Sequence, residues 1–188
     1  MLIINGSPKR NGNTSILIDW VVEGAAEKGA GAKVVRLASR KDRRGCLSCR
    51  KCQNAKHYKC AISDDLTPVL ADMTKANVIV MATPLYFFSA SSHLKQLIDR
   101  MFSLYKWDNN QNTFTTPLKG KTLALIASAY EDVGLDALEK PFSLTASYTG
   151  MKFLSLLVPN AGTSGQIIKL NTIKEKAVRF GRSLASIR

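Results

Sequence analysis

All four cysteines of this 188-residue chain fall in one stretch, GCLSCRKCQNAKHYKC, residues 45–60. Their spacing is Cys46-x2-Cys49-x2-Cys52-x7-Cys60. Thiols gathered in this way can do four kinds of chemistry. They can pair as disulfides, hold zinc, act as separate redox thiols, or cage an iron–sulfur cluster. No basic leader with a long apolar stretch opens the chain, and no apolar run approaches the roughly 20 residues that span a bilayer. A cytosolic place without membrane contact is therefore expected. Cytosolic thiols are normally kept reduced, which weakens the disulfide reading.

A second stretch with chemistry in it is GSPKRNGNTS, Gly6 to Ser15. It lacks the GK[ST] ending of a nucleoside-triphosphate loop, and its two glycines are too far apart for the G-x-G-x-x-G pattern. Ser7, Asn13, Thr14 and Ser15 instead supply hydroxyls and an amide, with Lys9 and Arg10 beside them. At a helix N-terminus, free N–H groups and the helix dipole favour an anion, so a single phosphate is the expected ligand. An ordinary capped strand–helix turn is the alternative. A third stretch, Pro84-Leu85-Tyr86-Phe87-Phe88, offers flat apolar surface for a planar ring. Those aromatics would otherwise be core. Ser128 and Tyr130 follow another apolar run and are the weakest of these candidates.

The elements that must position these groups alternate along the chain. Leu2–Asn5, Lys33–Leu37, Asn77–Ala82, Thr122–Ser128 and Phe153–Val158 are short and mostly apolar, as suits strands buried on both faces. In Ser89–Tyr105 the apolar residues Leu94, Leu97, Ile98, Met101, Phe102 and Tyr105 form one helical face, with Ser89 and Ser91 as caps. Thr14–Lys28 and Asn171–Ile187 read as helices too, and Asp64 or Asp65 should cap one running to about Lys75. The fold expected is α/β: a doubly wound five-stranded parallel sheet with helices on both faces, one domain over residues 1–188. Ligands belong beyond the carboxyl ends of its strands. Lys106–Lys119 shows no clear period, and is either a functional loop or a surface excursion.

GSPKRNGNTS together with TPLYFFSASSHLKQLIDR (Thr83 to Arg100) resembles the flavodoxin-like, NAD(P)H-dependent FMN reductase superfamily. The resemblance implies that the first loop holds the FMN phosphate and that the loop after the third strand runs along the isoalloxazine ring. Ser128 and Tyr130 would then meet the flavin's edge. FMN is expected over FAD, since the chain has one phosphate cradle and no pyrophosphate fingerprint. Within the superfamily, the cysteine motif resembles that of the iron–sulfur flavoproteins, which implies a 4Fe-4S cluster held by Cys46, Cys49, Cys52 and Cys60. Reach supports this. Three thiols at three-residue steps can curl around three iron corners, and a longer excursion returns the fourth. Structural zinc sites usually present two separated pairs. His57, inside the longer gap, reads as a solvated loop residue.

The function implied is electron relay between an external donor, the cluster and FMN. An NAD(P)H-dependent FMN or quinone reductase without a working cluster is the alternative. The resemblance also implies a homodimer or tetramer. Finally, 27 Lys and Arg against 14 Asp and Glu give a formal charge of +13. Much of it surrounds the cysteines: Arg36, Arg40, Lys41, Arg43, Arg44, Arg50, Lys51, Lys56 and Lys59. Such a surface favours an acidic electron carrier such as ferredoxin. The basic residues do not interleave with aromatics, so nucleic acid is not the expected partner.

Overall fold

The computed structural model describes residues 1–108 and 110–187. Five strands form one parallel sheet: β1 (Leu2–Asn5), β2 (Lys33–Arg36), β3 (Val78–Pro84), β6 (Thr122–Ser128) and β7 (Lys152–Val158). Their order is β2-β1-β3-β6-β7. The chain thus winds outward one way from β1 and then reverses, which opens a crevice at the carboxyl ends of β1 and β3. Central strands β1 and β6 are buried at every position, as their unbroken apolar character requires.

Side chains alternate between two cores, following the two-residue period of a strand. On one face Ile3, Val80, Ala82, Ala124 and Ile126 meet α1 (Asn13–Ala26) and α5 (Asn171–Ala185). On the other, Ile4, Ile79, Met81, Leu123 and Leu125 meet α2 (Thr67–Lys75), α3 (Ser92–Arg100) and α4 (Leu135–Thr149). This is the flavodoxin-like arrangement expected from the sequence.

Helices α1 and α5 approach backbone to backbone because each carries a glycine at the crossing. A Cβ on Gly24 would lie 1.9 Å from the Val178 carbonyl oxygen, and one on Gly181 would lie 2.1 Å from that of Val21. Glycine-to-alanine changes in open helices gain about 0.5–1 kcal/mol. Here the sign reverses. Gly24→Ala should cost about 1–3 kcal/mol by overpacking, read as a melting temperature lower by about 2–4 °C per kcal/mol. A raised melting temperature would contradict this contact.

Several details differ from the sequence expectation. The long apolar face Ser89–Tyr105 is an α-helix only to Arg100 and then tightens into a 3-10 turn, Met101–Leu104. The cap is Ser91, whose Oγ accepts from Leu94 N, and not Ser89. Helix α4 escapes sequence reading because Pro141 sits inside it. The aperiodic Lys106–Lys119 segment contains an antiparallel ribbon, β4 (Lys106–Asp108) with β5 (Thr113–Thr115). Phe114 of this ribbon stacks on Tyr148 and meets Tyr105 and Trp107, which seats it on α4.

Candidate functional site

The first loop leaves β1 through a chain of internal hydrogen bonds. Asn5, buried, accepts from Ser7 N (2.8 Å) and donates to Ser15 Oγ (3.1 Å). Ser15 in turn donates to Lys9 O, and Ser7 Oγ accepts from Lys9 N. Gly6 has no room for a side chain, since its Cβ would fall 2.8 Å from that of Leu94. The loop then enters α1 after Gly12, with no acidic residue in the first turn. That leaves the helix start, with its free N–H groups, open to an anion.

A cavity of about 330 Å³ opens over this helix start. Of the expected flavin residues, Ser7, Lys9, Asn13, Thr14, Pro84, Leu85, Tyr86, Ser128 and Tyr130 line it. Thr14 and Ser128 join across its floor, with their hydroxyl oxygens 3.0 Å apart. A helix N-terminus with hydroxyls at one end and two tyrosines on its walls fits a phosphate joined to a planar ring.

Four expected residues do not line it. Ser15 is buried and its hydroxyl is occupied by Asn5 and Lys9, so it shapes the loop from behind. The carbonyl of exposed Arg10 accepts from Arg36, away from the cavity. Phe87 and Phe88 form the tip of a tight turn in which Tyr86 and Ser89 exchange both backbone hydrogen bonds at 3.0 Å. Both have left-handed backbones, φ 45° and 61°, a conformation that is costly for bulky side chains. The turn throws Phe87 fully into solvent, 99% exposed, and lays Phe88 over Gly134, whose missing Cβ makes the space. Neither lines this cavity.

Asn13 has a role that the sequence did not disclose. Its amide donates to the carbonyls of Ala161, Gly162 and Thr163 and accepts from Gly165 N. It thereby fastens a fourth loop, Ala161–Ser164, into the cavity wall. The small residues after β7 (Asn160-Ala161-Gly162-Thr163-Ser164) were the available signal.

All four cysteines line a second cavity, of about 560 Å³. Ser48 and Arg50 adopt left-handed backbones on either side of Cys49, φ 52° and 55°, and curl the trio back on itself. Cys52 is buried, Cys60 half-buried, and Cys46 and Cys49 exposed, all as free thiols. Among the described residues, no three His, Cys, Asp or Glu side chains converge on the position of a single metal ion. A zinc ion needs its ligands about 2.0–2.3 Å away, whereas a cluster presents four irons at separate corners. Four thiols lining one open cavity are the donor set by which a protein holds an iron–sulfur cluster. His57 is exposed and does not line the cavity.

The loop is fastened from three sides. The Gln53 amide donates to the carbonyls of Phe102 and Tyr105. Lys106 Nζ donates to the carbonyls of Cys52 and Ala55, and Tyr58 OH donates to Thr115 Oγ1. The β4–β5 ribbon is thus a brace for the cysteine loop. At the base lies a buried ion pair, Arg100 with Asp64, both with 0% side-chain exposure. Burial works to raise the Asp64 pKa, but bonds from Arg100 and from the Arg44 and Leu66 N–H groups hold it below the ordinary carboxylate value. Sequence reading took Asp64 for a simple cap. It does accept from Leu66 N at the start of α2, while both of its oxygens also accept from Arg100.

The two cavities lie apart. Helix α3 begins beside the first loop, where Ser91 Oγ donates to Gly6 O, and ends at Arg100 in the wall of the cysteine cavity. The two sites thus flank opposite ends of a helix of nine residues, about 13 Å long.

Residues 1–163 match the sequence profile of the NADPH-dependent FMN reductases. An iron–sulfur flavoprotein of Methanocaldococcus jannaschii is 36% identical over 97 residues, covering 52% of this chain and 49% of that one. Another, from Archaeoglobus fulgidus, is 35% identical over 102 residues, covering 53% and 47%. The chain thus matches about half the length of these relatives. In fold, it superimposes on an FMN-dependent NADH-azoreductase from Bacillus anthracis, solved with FMN, with a TM-score of 0.74 at 14% identity over 98% of this chain and 99% of the other. With a family match that runs from β1 through the fourth cavity loop, the chain belongs to the NADPH-dependent FMN reductase family.

Proposed function

We propose that the protein is a flavin-dependent oxidoreductase of the iron–sulfur flavoprotein kind, passing electrons between an external carrier, a 4Fe-4S cluster and FMN. The observation that carries this reading is the shared cavity: four cysteines, in a chain with no others, line one space. When bound, the cluster supplies single-electron steps, and the flavin accepts either one or two. The protein's own contribution is placement. Thr14, Ser7 and the start of α1 hold a phosphate; Tyr86 and Tyr130 flank the ring; Cys46, Cys49, Cys52 and Cys60 hold iron.

The donor we propose is an acidic, ferredoxin-like carrier drawn to the basic rim of the cysteine loop, and the working form a homodimer or tetramer. The family's name favours a second reading, direct reduction of FMN or quinone by NAD(P)H with the cysteines idle.

Protein purified without oxygen should contain about four iron, four acid-labile sulfide and one flavin per chain, with the released flavin running as FMN. Stoichiometric zinc, or FMN without iron, would support the second reading and overturn the first. Stoichiometric FAD would overturn the flavin assignment.

A further inference from the structure

Arg100 is among the largest side chains fully enclosed by this fold, and its hydrogen bonds leave one group over. A guanidinium carries five N–H donors and no acceptor. Nη1 donates to Asp64 Oδ2 (2.8 Å) and to Arg44 O (2.9 Å). Nη2 donates to Asp64 Oδ1 (3.2 Å) and to Ile62 O (3.1 Å). Nε is buried and has no partner; the same holds for Nε of Arg40 and Arg43, but of the three only Arg100 lines the cysteine cavity. Buried donors are very rarely left unpaired, because the lost hydration is not repaid. Arg100 also forms part of the wall of the cavity lined by the four cysteines.

The positions of its acceptors matter as much. Arg44 stands two residues before Cys46, and Ile62 two residues after Cys60. One side chain at the end of α3 thus ties together both stems of the cysteine excursion. The Asp64 carboxylate neutralises the guanidinium, so what remains unpaired is less a net charge than one N–H dipole.

We infer that Arg100 is a positioning residue for the iron–sulfur group: its Nη atoms close the base of the cysteine loop, and its Nε–H is the hydrogen bond reserved for a sulfur of the group bound there. This rests on the reading that the cysteines hold a cluster. Hydrogen bonds to the sulfurs are one of the means by which a protein sets a cluster's potential. A donor stabilises the more negative, reduced form, so removing it lowers the potential. Losing one such charge-assisted bond should change the one-electron equilibrium about tenfold, or about 59 mV.

The test is an anaerobic redox titration followed by electron paramagnetic resonance, on wild type, Arg100→Lys and Asp64→Asn. Iron and sulfide are measured first. A wild type without iron overturns the cluster reading itself, separately from this inference. Lysine keeps the charge but loses the planar fork and the Nε–H, so the cluster in R100K should titrate about tenfold harder to reduce. In D64N the Nε–H stays and a negative charge goes, so the potential should hold or rise. A purely structural brace would lower iron content in both variants and leave the potential of the loaded fraction unchanged, and that result overturns the proposal.

Should R100K hold no iron, the wild type decides by a second measurement. With arginine labelled with 15N at Nε, the reduced cluster's spin should couple to an arginine nitrogen, and the coupling should persist in Arg50→Lys. Its absence in the wild type, or its loss in R50K, overturns the proposal.

Discussion

Replacing Cys49 by alanine should remove essentially all iron from the protein and leave its FMN content unchanged. The same is expected for Cys46→Ala and Cys52→Ala. The asymmetry follows from the two cavities, which share no lining residue and lie at opposite ends of α3. Losing a thiol from the cysteine loop therefore leaves Ser7, Thr14 and the start of α1 where they were. Cys52 is the most buried of the trio, 7% exposed, and water has the least access to take its place. Colorimetric iron and chromatographic flavin on the same anaerobic preparation give the answer, with circular dichroism to confirm the fold. Iron that survives any one of the three changes means the cage is drawn wrongly.

The second large effect concerns the donor. Reduction by an acidic carrier should slow by a factor of about 10–10³ as salt rises from low values to 0.5 M, through loss of electrostatic steering. At that salt the screening length is only about 4–5 Å. Charge reversal should do the same at low salt, provided the right residues are reversed. Arg43 donates to Leu37 O, and Arg44 donates to Ser63 O and lies 3.5 Å from Asp42, so both belong to the loop's framework. Lys51, Lys56 and Lys59 are exposed, and their side chains make no hydrogen bond among the described residues. The triple change to glutamate at these three lysines should slow the carrier while iron and FMN contents hold. Rates indifferent to salt and to this variant would assign the basic rim to another partner.

The inner strands β1, β3 and β6 were legible because they are buried on both faces and their sequences are correspondingly unbroken. The edge strands β2 and β7 are partly exposed, against expectation. The cysteine cavity was legible for a different reason: its ligands are close in sequence, so spacing alone brings them near. What could not be read depends on distant partners. Asp64 and Arg100 are 36 positions apart and look like a cap and a surface base, until the fold buries both. Asn13 reads as a phosphate donor, yet it serves carbonyls 148 to 150 residues away. Phe87 and Phe88 carry the right surface for a ring, but a turn with two left-handed residues aims one outward and lays the other on Gly134. Helix α4 was hidden by Pro141, whose cost is outweighed by the burial of Leu138, Phe142 and Ala146 against the sheet.

The central claim is that electrons reach FMN by way of the cysteine-held iron. The most direct measurement mixes reduced ferredoxin, without oxygen, with oxidised wild type and with FMN-loaded Cys49→Ala, and follows the flavin absorbance in each. The account predicts prompt bleaching in the wild type and an oxidised flavin in C49A over the same interval. Equal rates in the two proteins would contradict it.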